Sequence, residues 1–391
     1  MTKKIFAIST LALILLVGAI FVYNFAFKKP ATQTATPKAT DEGKTASTAP
    51  STSVPSNQST AKQTSGAIAS VSDGSVFGAT LAPDGSTIYY FTSDNGQLNQ
   101  ITPDGKLEKV ISTEEFQNIQ QVIWNKPKNK AIVKRADGAN KSKFLLLDLS
   151  QKTVTPVKDG VDSITWSGLG DKIVYKYFDP KTKKRTLEVS DPDGKNWRKI
   201  TDINFVGLSI SPVPGSSDIS FWPSPDAFTS SPTSLINFNG ENKRDILKDR
   251  FGADLLWSPD GKYAAVSLAD QKGSHKTDLS LMNSDGGQFH SLNFFTFAKK
   301  CAWSADSRFI FCAMPGNIPD SAILPNDWQT GAVQTADTFW KIEVATGKKE
   351  RLIDPAKING SFDALNPFLS QDEKTLFFTN KADGKLYKLG L

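Results

Sequence analysis

Residues 257–262 read Trp-Ser-Pro-Asp-Gly-Lys, and the apolar run Tyr-Ala-Ala-Val-Ser-Leu follows them at 263–268. Proline presets φ at the first central position of a tight turn, aspartate bonds to the backbone of the turn, and glycine adopts positive φ without strain. A run rich in aromatic and branched residues after such a turn is typical of a strand. The stretch therefore predicts two strands joined by a tight turn, with the tryptophan ending the first strand.

The same pattern recurs along the chain. A tryptophan or a large aliphatic residue precedes a polar turn and an apolar strand, at intervals of 42 to 47 residues and one last interval of 66. Such a period indicates a repeat protein in which each unit packs on its neighbours. We therefore expect the recurring side chains to pack between units rather than to bind a ligand. These blade-anchor positions are Leu81, Trp124, Trp166, Ile210, Trp257, Trp303 and Leu369.

Each repeat contains signals for four strands. In the third repeat, strands are expected at 187–189 and 196–200, and Asp191-Pro-Asp-Gly194 forms the turn between them. That stretch is also similar to a fragment of a calcium loop, but the distal glutamate of such loops is missing. Four antiparallel strands within 40 to 50 residues are typical of a propeller blade.

The complete motif at 257–262 resembles the PD40, or WD40-like, repeat of TolB-type β-propellers. A close variant stands at 81–85, and degenerate copies in register extend the resemblance over residues 67–391. The resemblance implies a β-propeller in an exported compartment. TolB-type proteins have a further N-terminal domain and six blades, so their role in an envelope complex is not implied here.

We predict an all-β fold, with residues 67–391 forming a single seven-bladed propeller of four-stranded antiparallel blades. The last repeat has signals for only three strands, the third of them at 386–389. The apolar stretch at 67–71 is expected to pair with 386–389 and so to complete this blade, which would cover an otherwise open sheet edge.

The N-terminus has a different composition. Residues 5–27 are almost entirely apolar and long enough to cross a bilayer as a helix, with lysines on both sides. We expect a retained signal anchor, with residues 1–4 cytoplasmic; the alternative is a signal peptide cleaved after Ala19. Residues 28–66, rich in Thr, Ala, Ser and Pro, are expected to be a disordered linker. The predicted protein is thus a single-pass membrane protein with an extracellular or periplasmic propeller.

Charge and rare residues limit the function classes. The formal net charge is +6, of which +5 falls in residues 1–66, so the predicted propeller is nearly neutral and no nucleic-acid partner is expected. The chain has two histidines and two cysteines, and no sequence motif for a metal or cofactor is present. We expect no cofactor. His275 and His290 are expected to be surface residues.

Two repeats have long segments between their second and third strands. The longer segment covers 313–337 in the sixth repeat, and the shorter covers 222–232 in the fourth. Both should emerge on the same face of the ring, because second-to-third loops and blade-to-blade connections share one face. The alternatives left open are a recognition rim, with Trp328 at least partly exposed, and loops that merely pack over the ring. The candidate rim residues are Trp222, Phe228, Asn326, Asp327 and Trp328.

The two cysteines both lie in the sixth repeat. A four-residue loop after Ser304 would place Cys301 directly opposite Cys312 on neighbouring strands, whereas a three-residue loop would put them on opposite faces of the sheet. The former register and an oxidising compartment favour a disulfide between Cys301 and Cys312.

Catalytic motifs are absent from the sequence: it contains no Gly-x-Ser-x-Gly, P-loop or His-Glu-x-x-His. We therefore expect a non-enzymatic module, tethered to the membrane by residues 5–27, that binds a protein, peptide or glycan of the cell envelope. One alternative is a propeller-type lyase or hydrolase that uses carboxylates at the ring axis. Another is a purely structural role in the envelope.

Overall fold

The computed structural model of the chain describes residues 67–391, apart from 107, 139 and 140. The predicted tip, anchor and linker in residues 1–66 lie outside this range. Among the described residues, no helix has the length and apolar character needed to cross a membrane. Within this range the strands form five four-stranded antiparallel sheets and one sheet of seven strands. The seven-stranded sheet is two blades that share one long strand, so the predicted seven-bladed propeller is confirmed.

The elements are numbered in chain order. In the described part of the chain, three short helices accompany the strands: η1 (Ala298–Lys300), α1 (Asn326–Thr330) and η2 (Pro355–Lys357). The strands are β1 (Ile68–Leu81), β2 (Ile88–Thr92), β3 (Leu98–Ile101), β4 (Glu108–Ser112), β5 (Ile119–Trp124), β6 (Lys130–Ala136), β7 (Ser142–Asp148), β8 (Thr153–Pro156), β9 (Val161–Trp166), β10 (Ile173–Phe178), β11 (Arg185–Ser190), β12 (Arg198–Asp202), β13 (Leu208–Pro212), β14 (Asp218–Pro223), β15 (Thr233–Asn237), β16 (Arg244–Leu247), β17 (Phe251–Trp257), β18 (Tyr263–Ala269), β19 (Thr277–Asn283), β20 (His290–Ser291), β21 (Cys301–Trp303), β22 (Phe309–Met314), β23 (Thr338–Glu343), β24 (Lys349–Arg351), β25 (Ala364–Leu369), β26 (Thr375–Asn380) and β27 (Lys385–Gly390).

The ring is closed by β1. Its second half pairs with β2 in blade 1, and its first half pairs with β27, with Ile68 opposite Leu389 and Ser70 opposite Tyr387. The chain's first described strand thus becomes the outer strand of blade 7, as the sequence predicted. Blades 2 to 6 are the consecutive sets of four strands from β5–β8 to β21–β24.

The core is divided among the blade junctions. Seven apolar clusters in the described residues each combine side chains of two neighbouring blades, one cluster for every junction of the ring. The anchor tryptophans lie in these clusters and bond across them. Trp124 Nε1 donates to Gly78 O at 2.7 Å, Trp166 Nε1 to Ile123 O at 2.8 Å, and Trp303 Nε1 to Leu256 O at 3.0 Å. Each bond links one blade to the inner strand of the preceding blade.

The turns that identified the repeat lie side by side on one face, which we call the floor. Asp260 N donates to Ser307 Oγ of the next blade at 3.3 Å, and Ala305 N donates to Glu373 Oε1 at 2.6 Å. Gly261 has φ of 69°, and a Cβ there would lie 2.1 Å from the Pro214 carbonyl oxygen of the preceding blade. The glycine is therefore required both by the turn and by the neighbouring turn. The opposite face, with the blade-to-blade connections and second-to-third loops, is called the mouth.

Deletion of residues 67–72 removes the strand that closes the ring. It exposes the edge of β27 and removes buried Val71, so we expect the melting temperature to fall by roughly 10 °C or more. Deletion of residues 55–60 is the matched control and should leave the melting temperature unchanged. Equal melting of the two deletion variants would contradict closure by β1.

The indole bonds across the junctions predict a second effect. Trp166→Phe keeps most of the buried ring but removes the bond to Ile123 O, so we expect about 2 kcal/mol lower free energy of unfolding. Trp197→Phe is the control, because Trp197 is 61% exposed and should cost little. The measurement is denaturant unfolding of both variants, and an equal loss of stability would argue against the junction role.

Candidate functional site

An axial cavity of about 900 Å³ lies inside the ring and is lined by residues from all seven blades. Most come from the innermost strands of the blades, and the others include the mouth-side ends of second strands such as β10 and β14 and the segments that lead into blades 4 and 6. The cavity therefore lies toward the mouth face. Its charged lining residues are Lys134, Asp162, Lys176, Asp254 and Lys299.

One of the two carboxylates is already neutralised by a lysine. Lys176 Nζ lies 2.9 Å from Asp162 Oδ2 and also donates to the Val206 carbonyl oxygen. The Lys176 side chain is buried, whereas the Asp162 side chain is half exposed. Lys176 thus links blade 3 to the connection that leads into blade 4. The other carboxylate of the cavity lining is Asp254.

Asp254 lies in the middle of β17, three residues before the anchor Trp257. Burial raises the pKa of its carboxyl, and the positive charge of Lys299 acts in the opposite direction. Trp222 is 2% exposed, and its Nε1 lies close to the Asp254 carboxylate without completing a hydrogen bond. A buried N–H without a partner is costly, so this group is poised to bond to a molecule in the cavity.

The two long loops meet on the mouth face, as predicted. Asn326 Nδ2 donates to Asp226 Oδ1 at 2.9 Å, and Ala227 N donates to Asn326 Oδ1 at 2.8 Å. The segment 315–337 thus reaches from blade 6 across blade 5 to the loop 224–232 of blade 4. It also contacts blade 5, because His275 Nδ1 lies 2.7 Å from Ala322 O.

The predicted exposure of Trp328 is wrong. Trp328 is 3% exposed and stacks on Phe297 with ring centroids 4.2 Å apart. The segment has its own apolar cluster with Trp328 at the centre, so the tryptophan packs the loop onto the ring instead of facing solvent. Trp222 is buried too and lies on β14 rather than in a loop. Of the five candidate rim residues, Phe228 is exposed at 51%, and Asn326 and Asp327 are half-buried.

Cys301 and Cys312 lie directly opposite each other on β21 and β22 and form a disulfide. Ser304 N donates to Phe309 O at 2.9 Å, which is the register that places the two cysteines on the same face of the sheet. Cys301 also lines the axial cavity. The disulfide therefore holds the innermost strand of blade 6 beside the site.

Sequence reasoning missed the charged residues of the cavity. The available signal was a charge within an otherwise apolar inner strand shortly before the anchor position, as at Asp162 and Asp254. Such a residue faces neighbouring blades or the axis, where a charge is costly unless it is paired or functional. His275 and His290 are exposed, as expected, and neither lines the cavity.

Comparison with known proteins gives a result at the level of the fold. No protein-family model matches the chain, and no curated protein matches it in sequence. Among solved structures, an oligogalacturonate lyase in complex with manganese has 15% identity and a TM-score of 0.60 over 85% of this chain and 94% of that chain. An oligogalacturonate lyase from Vibrio parahaemolyticus has 12% identity and a TM-score of 0.61 over 83% and 93%. The putative TolB of Agrobacterium tumefaciens has 14% identity and a TM-score of 0.45 over 60% and 90%.

This chain has the propeller fold of the two lyases. The expectation that it is not an enzyme is contradicted by the comparison, because two of the matching structures are lyases. That expectation rested on the lack of catalytic motifs in the sequence. A site assembled from single residues on separate blades leaves no contiguous motif, so the lack of one was not sufficient evidence.

The described residues do not offer a site for the manganese of the first lyase. Among them, no three side chains of His, Cys, Asp or Glu are grouped so that they could hold a metal ion. In the cavity, Asp162 is paired with Lys176, and Asp254 is a single carboxylate. We therefore assign no step at this site to a metal.

Proposed function

We propose that the chain is a propeller-type lyase that acts on an oligosaccharide of uronic acids in the axial cavity. The observation that carries the proposal is the half-buried Asp254 carboxylate, beside the unpaired Trp222 Nε1, in a cavity that also contains three lysines. With Lys134, Lys176 and Lys299 against Asp162 and Asp254, the lining has an excess of one positive charge. Such a lining favours an anionic ligand.

A β-elimination needs one base and a nearby positive charge, which Asp254 and Lys299 supply in this cavity. The Asp254 carboxylate takes the proton from the sugar carbon next to the substrate carboxylate, and the C–H electron pair forms a double bond to the adjacent ring carbon. The glycosidic C–O bond at that carbon breaks, and the leaving oxygen takes a proton from solvent. Lys299 stabilises the negative charge that builds on the substrate carboxylate. A raised pKa makes Asp254 a stronger base than an ordinary aspartate.

A lyase fits this cavity better than a glycoside hydrolase. Hydrolysis needs two carboxyl groups on either side of the scissile bond. Asp162 is held in an ion pair with Lys176 at 2.9 Å, so its carboxylate is already engaged. Elimination needs a single base, and Asp254 supplies it.

We also infer that the propeller is exported and held at the membrane by residues 5–27, with residues 28–66 as a linker, so that its glycan substrate or any protein partner is met at the cell envelope. The Cys301–Cys312 disulfide supports this, since such bonds persist in oxidising compartments. These are the two cysteines of the chain. Protein taken from cells into an alkylating reagent should therefore show no labelled thiol before reduction; two labelled thiols would contradict export.

Asp254→Asn tests the proposed base. The substrate is a short oligogalacturonate, and the measurement is the ultraviolet absorbance of the unsaturated product. The variant removes the proton acceptor, so we expect at least a 100-fold lower kcat with the fold retained. In the wild-type protein, kcat should decrease as the pH falls through a pKa above the ordinary value of 3.8.

Asp285→Asn is the matched control, because Asp285 is an exposed aspartate in the β19–β20 turn of the same blade, outside the cavity lining. It should retain wild-type activity. An active Asp254→Asn variant would exclude Asp254 as the base. Binding of the oligosaccharide by the wild-type protein without any product would contradict the lyase and favour a binding module.

A further inference from the structure

Two adjacent lysines in η1 point to opposite sides of the chain. Lys299 is exposed and lines the axial cavity, where its charge acts on Asp254. Lys300 has no exposed surface and reaches into the protein between blade 6 and blade 7. The segment that carries the cavity lysine is therefore anchored by the residue next to it.

The Lys300 ammonium group is surrounded by oxygen acceptors. Its Nζ lies 2.6 Å from Asp337 Oδ2, 2.7 Å from Asp363 Oδ1, 3.0 Å from Thr335 Oγ1 and 3.1 Å from Ala364 O. Removing an ammonium group from water costs several kcal/mol unless its N–H groups are paired. Here every N–H has an acceptor, so the buried lysine is fixed in one position.

The acceptors are themselves fixed. Ala364 N donates to Asp337 Oδ2 at 2.7 Å, and Thr335 Oγ1 donates to Asp337 Oδ1 at 2.6 Å. Trp328 Nε1 donates to Asp363 Oδ1 at 3.0 Å. The carboxylates thus come from the end of the long blade 6 segment and from the start of blade 7, and the buried tryptophan of that segment holds one of them.

The residues on either side of η1 are also held. Phe297, just before η1, stacks on Trp328, and Cys301, just after it, forms the disulfide with Cys312. Lys300 lies between these two attachments. The backbone at Lys299 consequently has little freedom, although its side chain is exposed to the cavity.

We propose that Lys300 is a positioning residue, whose burial between Asp337 and Asp363 keeps Lys299 in the axial cavity beside Asp254. This inference rests on the proposed function, in which Lys299 is the cation next to the base. It also gives the long segment 315–337 a role: the segment supplies Asp337, Thr335 and Trp328, and so fixes a cavity residue without lining the cavity itself.

The test is the titration of Asp254, followed by NMR of aspartate labelled at the side-chain carboxyl carbon in the full chain without substrate. The Asp254 signal is assigned by its absence in Asp254→Asn. Lys299→Met removes the cavity charge and should raise the Asp254 pKa by about half a unit, roughly threefold in its acid dissociation constant. Lys300→Met should raise it by a similar amount, because Lys299 is released.

The double variant separates positioning from a general loss of stability. If Lys300 acts through Lys299, Lys299→Met with Lys300→Met should shift the Asp254 titration no further than Lys299→Met alone. An unchanged Asp254 titration in Lys300→Met, or additive shifts in the double variant, would overturn the inference. Lys130→Met is the control, since it removes a lysine paired with Asp148 in blade 2 and should leave Asp254 unaffected.

Trp328→Phe is a milder variant that decides the question if Lys300→Met does not fold. It can keep the stacking on Phe297 but loses the bond to Asp363 Oδ1, so a smaller shift of the Asp254 titration in the same direction is expected. No shift would count against the inference. The titration needs no substrate, so it tests the positioning role even if the protein proves not to be a lyase. An active lyase whose Asp254 titration is unshifted in these variants would contradict the positioning role and leave the lyase proposal intact.

Discussion

The packing of each blade on the next is the constraint on which the rest of the structure depends. A single four-stranded sheet exposes two apolar faces, and the seven clusters at the junctions bury them in pairs. The anchor indoles also constrain how neighbouring blades are oriented, because each buried indole N–H needs a hydrogen-bond acceptor on the preceding blade. In blade 5 the acceptor is the Ser220 hydroxyl at 2.9 Å instead of a backbone carbonyl. Burial and hydrogen bonding together set how blades meet.

The closed ring determines where a site can form. The floor turns contact one another across the blade junctions, whereas the mouth carries the longer loops. Side chains from separate blades therefore converge in a cavity toward the mouth, and none is close in sequence to most of the others. Asp162 and Asp254 reach the cavity from blades 3 and 5, and Lys299 from the segment leading into blade 6. Chemistry at the axis thus depends on every junction being in place.

The fold could be predicted from sequence because its determinants are local and repeated. The turn at 257–262 specifies two strands by itself, and its recurrence gives the blade count. The pairing of 67–71 with 386–389 was predicted because the last repeat has signals for only three strands and an apolar stretch precedes the first repeat. The register of Cys301 with Cys312 was predicted by counting loop residues between paired strands. For the cysteines, the period-two alternation of side chains along a strand decided whether the two residues share a face.

The site could not be predicted in the same way. Trp328 is an aromatic residue in a long loop, which favours an exposed recognition residue. Its burial instead depends on its contacts with Phe297 and with Asp363, which is 35 residues away in sequence. In the sequence, nothing distinguishes Lys300 from a surface lysine. Its ion pairs with Asp337 and Asp363 form only in the folded ring. The geometry of the ring determines which distant charges pair. Patterns in a single sequence do not show which residues become neighbours in this way.

The axial site is tested most directly by a crystal structure of the Asp254→Asn variant soaked with a short oligogalacturonate. We expect one saccharide in the axial cavity, with a sugar carboxylate next to Lys299 and the Trp222 Nε1 bonded to a saccharide oxygen. A saccharide bound on the outer strands of the blades, or a cavity that excludes it while the ring is intact, would contradict a site at the ring axis.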